Sequence, residues 1–221
     1  MRSAHRGLFK LMKAHQPSLK GLYAITPSGA YEPEQLLQKV KQAILGGARV
    51  IQYRDKDSNH QRKEKGARAL LGLCQRYNIP LIINDDVDLA QRITADGIHI
   101  GAEDMSIIQA RQALGPNAII GVSCYNDLKQ AKQAATQGAN YVAFGRFFAS
   151  QSKPEASLAD IQTLHQARQE LDLPIVVIGG ITAKNGQALL DAGADMLAVI
   201  HGVFGAVDIR QAAGEINQLF K

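Results

Sequence analysis

Cysteine is nearly absent from this chain. Its two cysteines, Cys74 and Cys124, form no CxxC pair, so neither a zinc signature nor a disulfide framework is available. That usage fits a reducing cytoplasm. No apolar run reaches the roughly 18 residues that a membrane span needs. No HExxH run and no Ser-His-Asp ordering occurs, which removes the common hydrolase templates. Low-complexity runs are also missing, and 46% hydrophobic with 20% charged residues is ordinary for a globular domain. Acidic residues are absent from the start of the chain. Arg2, Arg6, Lys10, Lys13 and Lys20 all precede the first acid, Glu32; removing those five from 25 Lys and Arg leaves 20, against 20 Asp and Glu. The formal charge of +5 is therefore a property of the N-terminal segment, not of a basic face for nucleic acid. That segment lacks the continuous apolar stretch of a secretory signal. Residues 1–18 are expected to be a dispensable basic arm ahead of one domain over 19–221.

What is present is a repeat of one unit: a short apolar strand, a polar loop, a helical stretch. Strands are predicted over 21–26, 49–54, 80–85, 97–101, 119–124, 141–146, 175–180 and 196–201. They are rich in Val and Ile and almost continuously apolar, as strands buried on both faces are. Helical patterns fall between them, over 33–45, 59–77, 87–93, 106–114, 127–137, 158–171, 183–192 and 208–220. Start signals include Asn126-Asp127 and Thr182. Eight such units in 221 residues point to a single-domain (β/α)₈ barrel of the α/β class. The competing open doubly wound sheet opens on a glycine-rich first turn. Here that turn is Thr26-Pro27-Ser28-Gly29, without GxGxxG.

In a barrel the chemistry collects where strands end. Strand 2 ends in Ile51-Gln52-Tyr53-Arg54-Asp55-Lys56. Period-2 alternation puts Gln52, Arg54 and Lys56 on one face, with Ile51 and Tyr53 on the other. Two cations and an amide there are costly to desolvate unpaired, and a diphosphate satisfies both cations together. Strand 3 ends in Asn84-Asp85-Asp86, and Glu103-Asp104 follows strand 4. Asp85 and Asp104 suit a hard divalent cation shared with phosphate. Each also suits a helix N-cap, a role for which Asp86 is at least as well placed. Ser123 ends strand 5, and Cys124 is expected to point away from it, toward the helices. Ser150-Gln151-Ser152-Lys153 offers hydroxyls, backbone N–H groups and a cation to a phosphate. Gly179-Gly180 lets backbone approach a ligand closely, or is simply a tight turn. His99 reads as a satisfied structural residue, and His201 sits at a strand end.

Taken in order, these stretches resemble the thiamine phosphate synthase family over residues 21–220. The motifs are Ile51 through Lys56; Ile83-Asn84-Asp85 with Val87-Asp88-Leu89-Ala90; Gly97-Ile98-His99-Ile100-Gly101 with Asp104; Ile120-Gly121-Val122-Ser123; Phe144-Gly145 leading to Ser150, Ser152 and Lys153; and Ile178-Gly179-Gly180-Ile181. The resemblance implies a Mg²⁺-dependent transferase. It would join a hydroxymethylpyrimidine diphosphate to a thiazole phosphate, or its carboxylated form, and release pyrophosphate. Arg54, Lys56, Ser123 and Lys153 would be catalytic. Gln52, Tyr53, Arg54, Asp55, Lys56, Asn84, Ser123 and Lys153 would hold the pyrimidine diphosphate. Ser150, Gln151, Ser152, Gly180, Ile200 and His201 would hold the thiazole phosphate, and Asp85 with Asp104 one Mg²⁺. The implied partners are these small molecules, with no nucleic acid and no membrane; homo-oligomer formation is left open, and the implied place is the cytoplasm.

The chain departs from the family pattern at three places. Arg146 stands where proline is usual, Ser150 and Ser152 where threonines are usual, and His201 where serine is usual. A sister branch, a thiazole tautomerase, tends to lack the diphosphate and metal residues and carries His at the position of Arg146. A non-catalytic phosphate-binding barrel is the other alternative. Replacing Lys153 by alanine is expected to slow the reaction roughly 10²–10³-fold, as deletion of a preorganised charge-stabilising donor does. Steady-state product formation measures it, and near-normal turnover would take Lys153 out of the chemistry.

Overall fold

The apolar segments form strands where the sequence predicts them: β1 Gly21–Ile25, β2 Ala48–Tyr53, β3 Leu81–Asn84, β4 Gly97–Ile100, β5 Ile119–Tyr125, β6 Tyr141–Gly145, β7 Ile175–Ile178 and β8 Met196–Val199. Each lies parallel to the next, and β1 pairs with β8, so the sheet closes into a barrel. The computed structural model describes residues 19–29, 31–56, 59–101, 105–149 and 158–221. The arm 1–18, Asp104, and the run Ser150, Gln151, Ser152 and Lys153 lie outside the described residues. The helices are α1 Pro33–Leu45, α2 His60–Arg76, α3 Val87–Ile93, α4 Ile107–Leu114, α5 Leu128–Thr136, α6 Ile161–Glu170, α7 Gly186–Asp191, α8 His201–Phe204 and α9 Ile209–Gln218.

Alternation along the strands divides the core into two layers. Tyr23, Val50, Ile82, Ile119, Val176 and Met196 pack together inside the barrel. Leu22, Ile51, Ile83, Ile98, Ile120 and Val177 pack outward against the helices. Each such Val, Ile or Leu contributes about 1.5–3 kcal/mol on full burial. A one-residue slip in any strand would exchange the layers, so register is strongly specified.

Side-chain caps fix where six of the nine helices among the described residues start. Asp86, Asn59, Asp127, Asp160 and Asp208 each accept a backbone N–H of the first turn through their side chains, and Ser106 forms a capping box with Gln109. Asp86 thus takes the capping role weighed for Asp85, and Ser106 the one weighed for Asp104. At the opposite end of the barrel, one carboxylate or amide stitches each of three strand pairs. Asp96 Oδ2 accepts from Leu81 N at 2.8 Å, Asn140 Oδ1 from Ile120 N at 2.9 Å, and Asp195 Oδ2 from Ile175 N at 2.8 Å.

Two stretches differ from the sequence pattern. The helix predicted over 183–192 is shortened to α7, because Asn185 turns back to accept from Thr182 N at 2.7 Å and to donate to Gly180 O at 3.0 Å. Such local side-chain bonds compete with helix formation. Residues 201–204, read as strand end and loop, form α8; four residues are too few for a 3.6-residue period to show in the sequence.

Glycine is required where strands approach most closely. A Cβ on Gly97 would lie 2.1 Å from the backbone oxygen of Ile119, and backbone in a closed barrel cannot yield cheaply. Gly97→Ala is expected to destabilise the fold by about 3 kcal/mol, the upper end of overpacking costs. Denaturant unfolding measures this, and an unchanged midpoint would contradict the close approach.

Candidate active site

The C-terminal ends of the strands surround a cavity of about 600 Å³. Its β2 side carries Gln52, Arg54 and Lys56; β3 adds Asn84 and Asp85; β5 adds Ser123. The far side carries Gly180, Ile200 and His201. Tyr53 and Asp55, expected to bind the pyrimidine diphosphate, are not among the cavity-lining residues. Tyr53 belongs to the outer layer. A Cβ on Gly66 of α2 would lie 2.9 Å from its hydroxyl. That hydroxyl donates to Asp55 Oδ2 at 3.1 Å. Period-2 alternation accounts for the placement, since Tyr53 lies on the opposite face from Gln52 and Arg54.

The cationic wall is positioned by the first βα loop. Thr26, fully buried, holds both backbone groups of Arg54: its Oγ1 accepts from Arg54 N at 2.9 Å and donates to Arg54 O at 3.2 Å. Thr26 N also donates to Gln52 O at 2.9 Å, which carries the ladder past the end of β1. One residue pair further out, Ser28 Oγ accepts from Lys56 N at 2.5 Å and donates to Asp55 Oδ1 at 3.4 Å. Thr26, Ser28, Tyr53 and Asp55 therefore fix the backbone path that delivers Arg54 and Lys56 to the cavity. Beside them Asp85 sits at φ 62, left-handed backbone that Asp tolerates better than most residues. Its N–H donates to His99 O at 2.9 Å, and Asn84 Nδ2 donates to its Oδ2 at 2.5 Å.

Polar side chains form the barrel floor. Gln52 Nε2 donates to the Tyr23 hydroxyl at 2.9 Å, and the Tyr23 and Tyr141 hydroxyls lie 2.7 Å apart. His99 Nδ1 is 3.0 Å from the Tyr141 hydroxyl, and its Nε2 is 2.9 Å from Ser123 Oγ. Burial pushes the Tyr23 and Tyr141 phenols well above their ordinary range, so both stay neutral. Cys124 faces away from the cavity into the outer layer, as its position beside Ser123 predicts. Burial pushes its thiol up to about 12, with Asp127 adding to the shift. Cys74 is likewise pushed up to about 12, by burial and then Asp96. Neither cysteine is a thiolate nucleophile at neutral pH.

On the far side, two loops press together. Gly179 has φ 107 and Gly180 φ 62. A Cβ on Gly180 would stand 2.3 Å from Ala149 O, and one on Gly179 2.2 Å from Arg146 Cβ. Phe147 N donates to Ile178 O and Phe148 N to Gly179 O, both at 3.1 Å. The glycine pair thereby allows the segment leading into Ser150 to pack against the β7 turn. Arg146 also lines the cavity, and its Nη1 lies 3.4 Å from Phe148 O.

Residues 22–203 match the family model described as thiamine monophosphate synthase. The chain belongs to that family. It is 48% identical to the thiamine-phosphate synthase of Thiobacillus denitrificans, covering 90% of this chain and 94% of the relative. It is 50% identical to that of Methylobacillus flagellatus, covering 92% and 97%. The thiamine phosphate pyrophosphorylase structure from Pyrococcus furiosus superposes with a TM-score of 0.82 at 34% identity, covering 91% of this chain and 96% of that one. As a thiamine monophosphate synthase family member the chain is an enzyme, a transferase of thiamine phosphate formation. No helix among the described residues is long and apolar enough to cross a membrane.

Sequence reasoning singled out the mouth of this site and missed its supports. Thr26 and Ser28 were read only as turn residues, and Tyr23 and Tyr141 only as apolar core. The available signal is positional: Tyr23 alternates with Leu22 and Ala24, and with those two facing the helices its ring lies inside the barrel. Thr26→Val is expected to leave the part-buried Arg54 N–H unpaired, costing about 1 kcal/mol of stability, the low end for a lost partner, and raising KM for the diphosphate substrate. Thr26→Ser should retain both bonds and near-normal kinetics. Equal kinetics for Thr26→Val and the parent would show that the clamp does not position Arg54.

Proposed function

We propose that the cavity binds a hydroxymethylpyrimidine diphosphate against Gln52, Arg54, Lys56, Asn84, Ser123 and Lys153, and a thiazole phosphate against Ser150 through Ser152, Gly180, Ile200 and His201. The observation that carries the reading is that Gln52, Arg54, Lys56, Asn84 and Ser123 line one wall of one cavity. Asp85 offers a hard oxygen donor on that same wall. Among the described residues no cluster of three or more His, Cys, Asp or Glu is built to hold a metal. Mg²⁺ habitually combines one or two carboxylates with substrate phosphate oxygens. Bound by Asp85 and Asp104, Mg²⁺ would neutralise part of the diphosphate charge.

The reaction is substitution at the pyrimidine methylene. The C–O bond to the diphosphate breaks and pyrophosphate departs with the electron pair. The thiazole nitrogen supplies its lone pair to form the C–N bond and becomes the thiazolium. No protein nucleophile is required, in keeping with inert cysteines. Arg54, Lys56 and Lys153 stabilise charge as it builds on the leaving group. The electron-rich aminopyrimidine shares the positive charge left on the methylene. Holding the thiazole by its phosphate converts the attack into a local event. Arg146 adds a further cation to the cavity lining.

Chelation of divalent metal is expected to abolish product formation, with Mg²⁺ restoring it. Asp85→Asn should raise the Mg²⁺ concentration needed for half-maximal rate. Full activity in chelator would remove the metal from the scheme, and an unchanged requirement in Asp85→Asn would remove Asp85 from its site.

A further inference from the structure

The floor of the cavity is a continuous chain of hydrogen bonds through five strands. Gln52 on β2 joins Tyr23 on β1, then Tyr141 on β6, His99 on β4 and Ser123 on β5, at 2.9, 2.7, 3.0 and 2.9 Å. No buried side-chain N or O among the described residues lacks a partner. Each group has few hydrogens to give, and counting them fixes the direction of the chain. Gln52 Nε2 donates to Tyr23. The single hydroxyl hydrogen of Tyr23 is then left for Tyr141, because pointing it elsewhere would bury an unpaired donor. Tyr141 accepts from Tyr23 and gives its own hydrogen to His99 Nδ1. His99 is therefore the neutral ring with hydrogen on Nε2, and that hydrogen goes to Ser123 Oγ. The Ser123 hydrogen remains, and Ser123 lines the cavity.

We propose that these contacts form a relay of one polarity, in which Tyr23, Tyr141 and His99 are positioning residues that turn the Ser123 O–H into the cavity toward the pyrimidine ring. This rests on the functional reading above. At the other end, Gln52 spends an amide N–H on Tyr23, and its amide oxygen, which accepts from no described residue and is not among the buried atoms lacking a partner, is open to the cavity that Gln52 lines. The floor therefore offers one acceptor and one donor to a ring. Its complement is a ring with an amino N–H donor and a ring nitrogen acceptor, which is a 4-aminopyrimidine. A 4-oxo analogue presents a carbonyl acceptor and a ring N–H donor instead, mismatched at both ends. The relay can reverse only if the amide, both phenols, the imidazole and the serine all reverse together.

Packing holds the relay rigid. The Tyr23 and Tyr141 rings meet edge to face with centroids 5.8 Å apart, and His99 stacks on Tyr141 with an interplanar angle of 19°. A Cβ on Gly121 would stand 1.9 Å from Tyr141 Cζ. Gly121 is thus the vacancy in β5 that seats the Tyr141 ring. Burial keeps both phenols protonated, so neither ceases to donate over the working pH range.

The test uses the full chain with ¹⁵N-labelled histidine. The His99 ring is expected as the Nε2–H tautomer, and Tyr141→Phe is expected to release it into a tautomer mixture. Tyr141→Phe should lower kcat about tenfold, the worth of one oriented hydrogen bond, with KM for the thiazole phosphate changed by less than about twofold. In a Ser123→Ala background the same change should cost nothing further, because the relay acts through Ser123. The 4-oxo pyrimidine diphosphate should be used at least about 10²-fold less efficiently than the amino substrate. An Nδ1–H or charged His99 in the parent protein, or a full Tyr141→Phe loss in the Ser123→Ala background, would overturn the relay. The tautomer is read without turnover. A parent chain that made no thiamine phosphate would instead sink the functional reading, with the tautomer still deciding the relay's direction.

Discussion

Everything in this molecule depends on the alternation of side chains along parallel strands that are buried on both faces. On β2 it sends Ile51 and Tyr53 outward to the helices and Val50 and Gln52 inward. Continued past the strand end, it sends Arg54 and Lys56 to the cavity. The same alternation puts Ser123 inside and Cys124 outside on β5. Closure into a barrel then brings eight strand ends to one mouth, so residues far apart in sequence share one cavity.

Two electrical environments follow. The mouth gathers Arg54, Lys56 and Arg146, which suits substrates that bring their own negative charge. The phenols of the floor stay uncharged through burial, and its side chains are linked by hydrogen bonds that leave the Gln52 amide oxygen and the Ser123 hydroxyl hydrogen for a ligand. Such a site works by orientation and charge stabilisation and needs no activated nucleophile. Its precision comes from supports outside the cavity. Thr26 grips the Arg54 backbone, and Gly121 makes room for Tyr141.

Much of this was legible in the sequence, and the exceptions have physical causes. Eight Val- and Ile-rich segments announced the barrel because doubly buried strands have no polar face to hide them. Gln52, Arg54, Lys56, Asn84 and Ser123 were legible because polar residues at strand ends stand out against apolar runs. Tyr53 and Asp55 were drawn into the site by their neighbours, although the alternation already turned Tyr53 outward. The floor was not legible. Tyr23, His99 and Tyr141 are 118 residues apart at their extremes, and only barrel closure makes them neighbours. Each alone reads as core. The shortening of α7 depends on Asn185 bonding Thr182 and Gly180, a choice between two local geometries that a helical pattern does not record.

The most direct test of the central claim is a time course of pyrophosphate and thiamine phosphate with both substrates and Mg²⁺, and with each substrate omitted in turn. Leaving-group stabilisation coupled to attack by the thiazole nitrogen predicts equal amounts of the two products, and neither when the thiazole phosphate is withheld over the same period. Steady pyrophosphate release without thiamine phosphate would make the site a hydrolase. Conversion of an isomeric thiazole carboxylate phosphate with no pyrophosphate would make it a tautomerase, and either result would contradict the account.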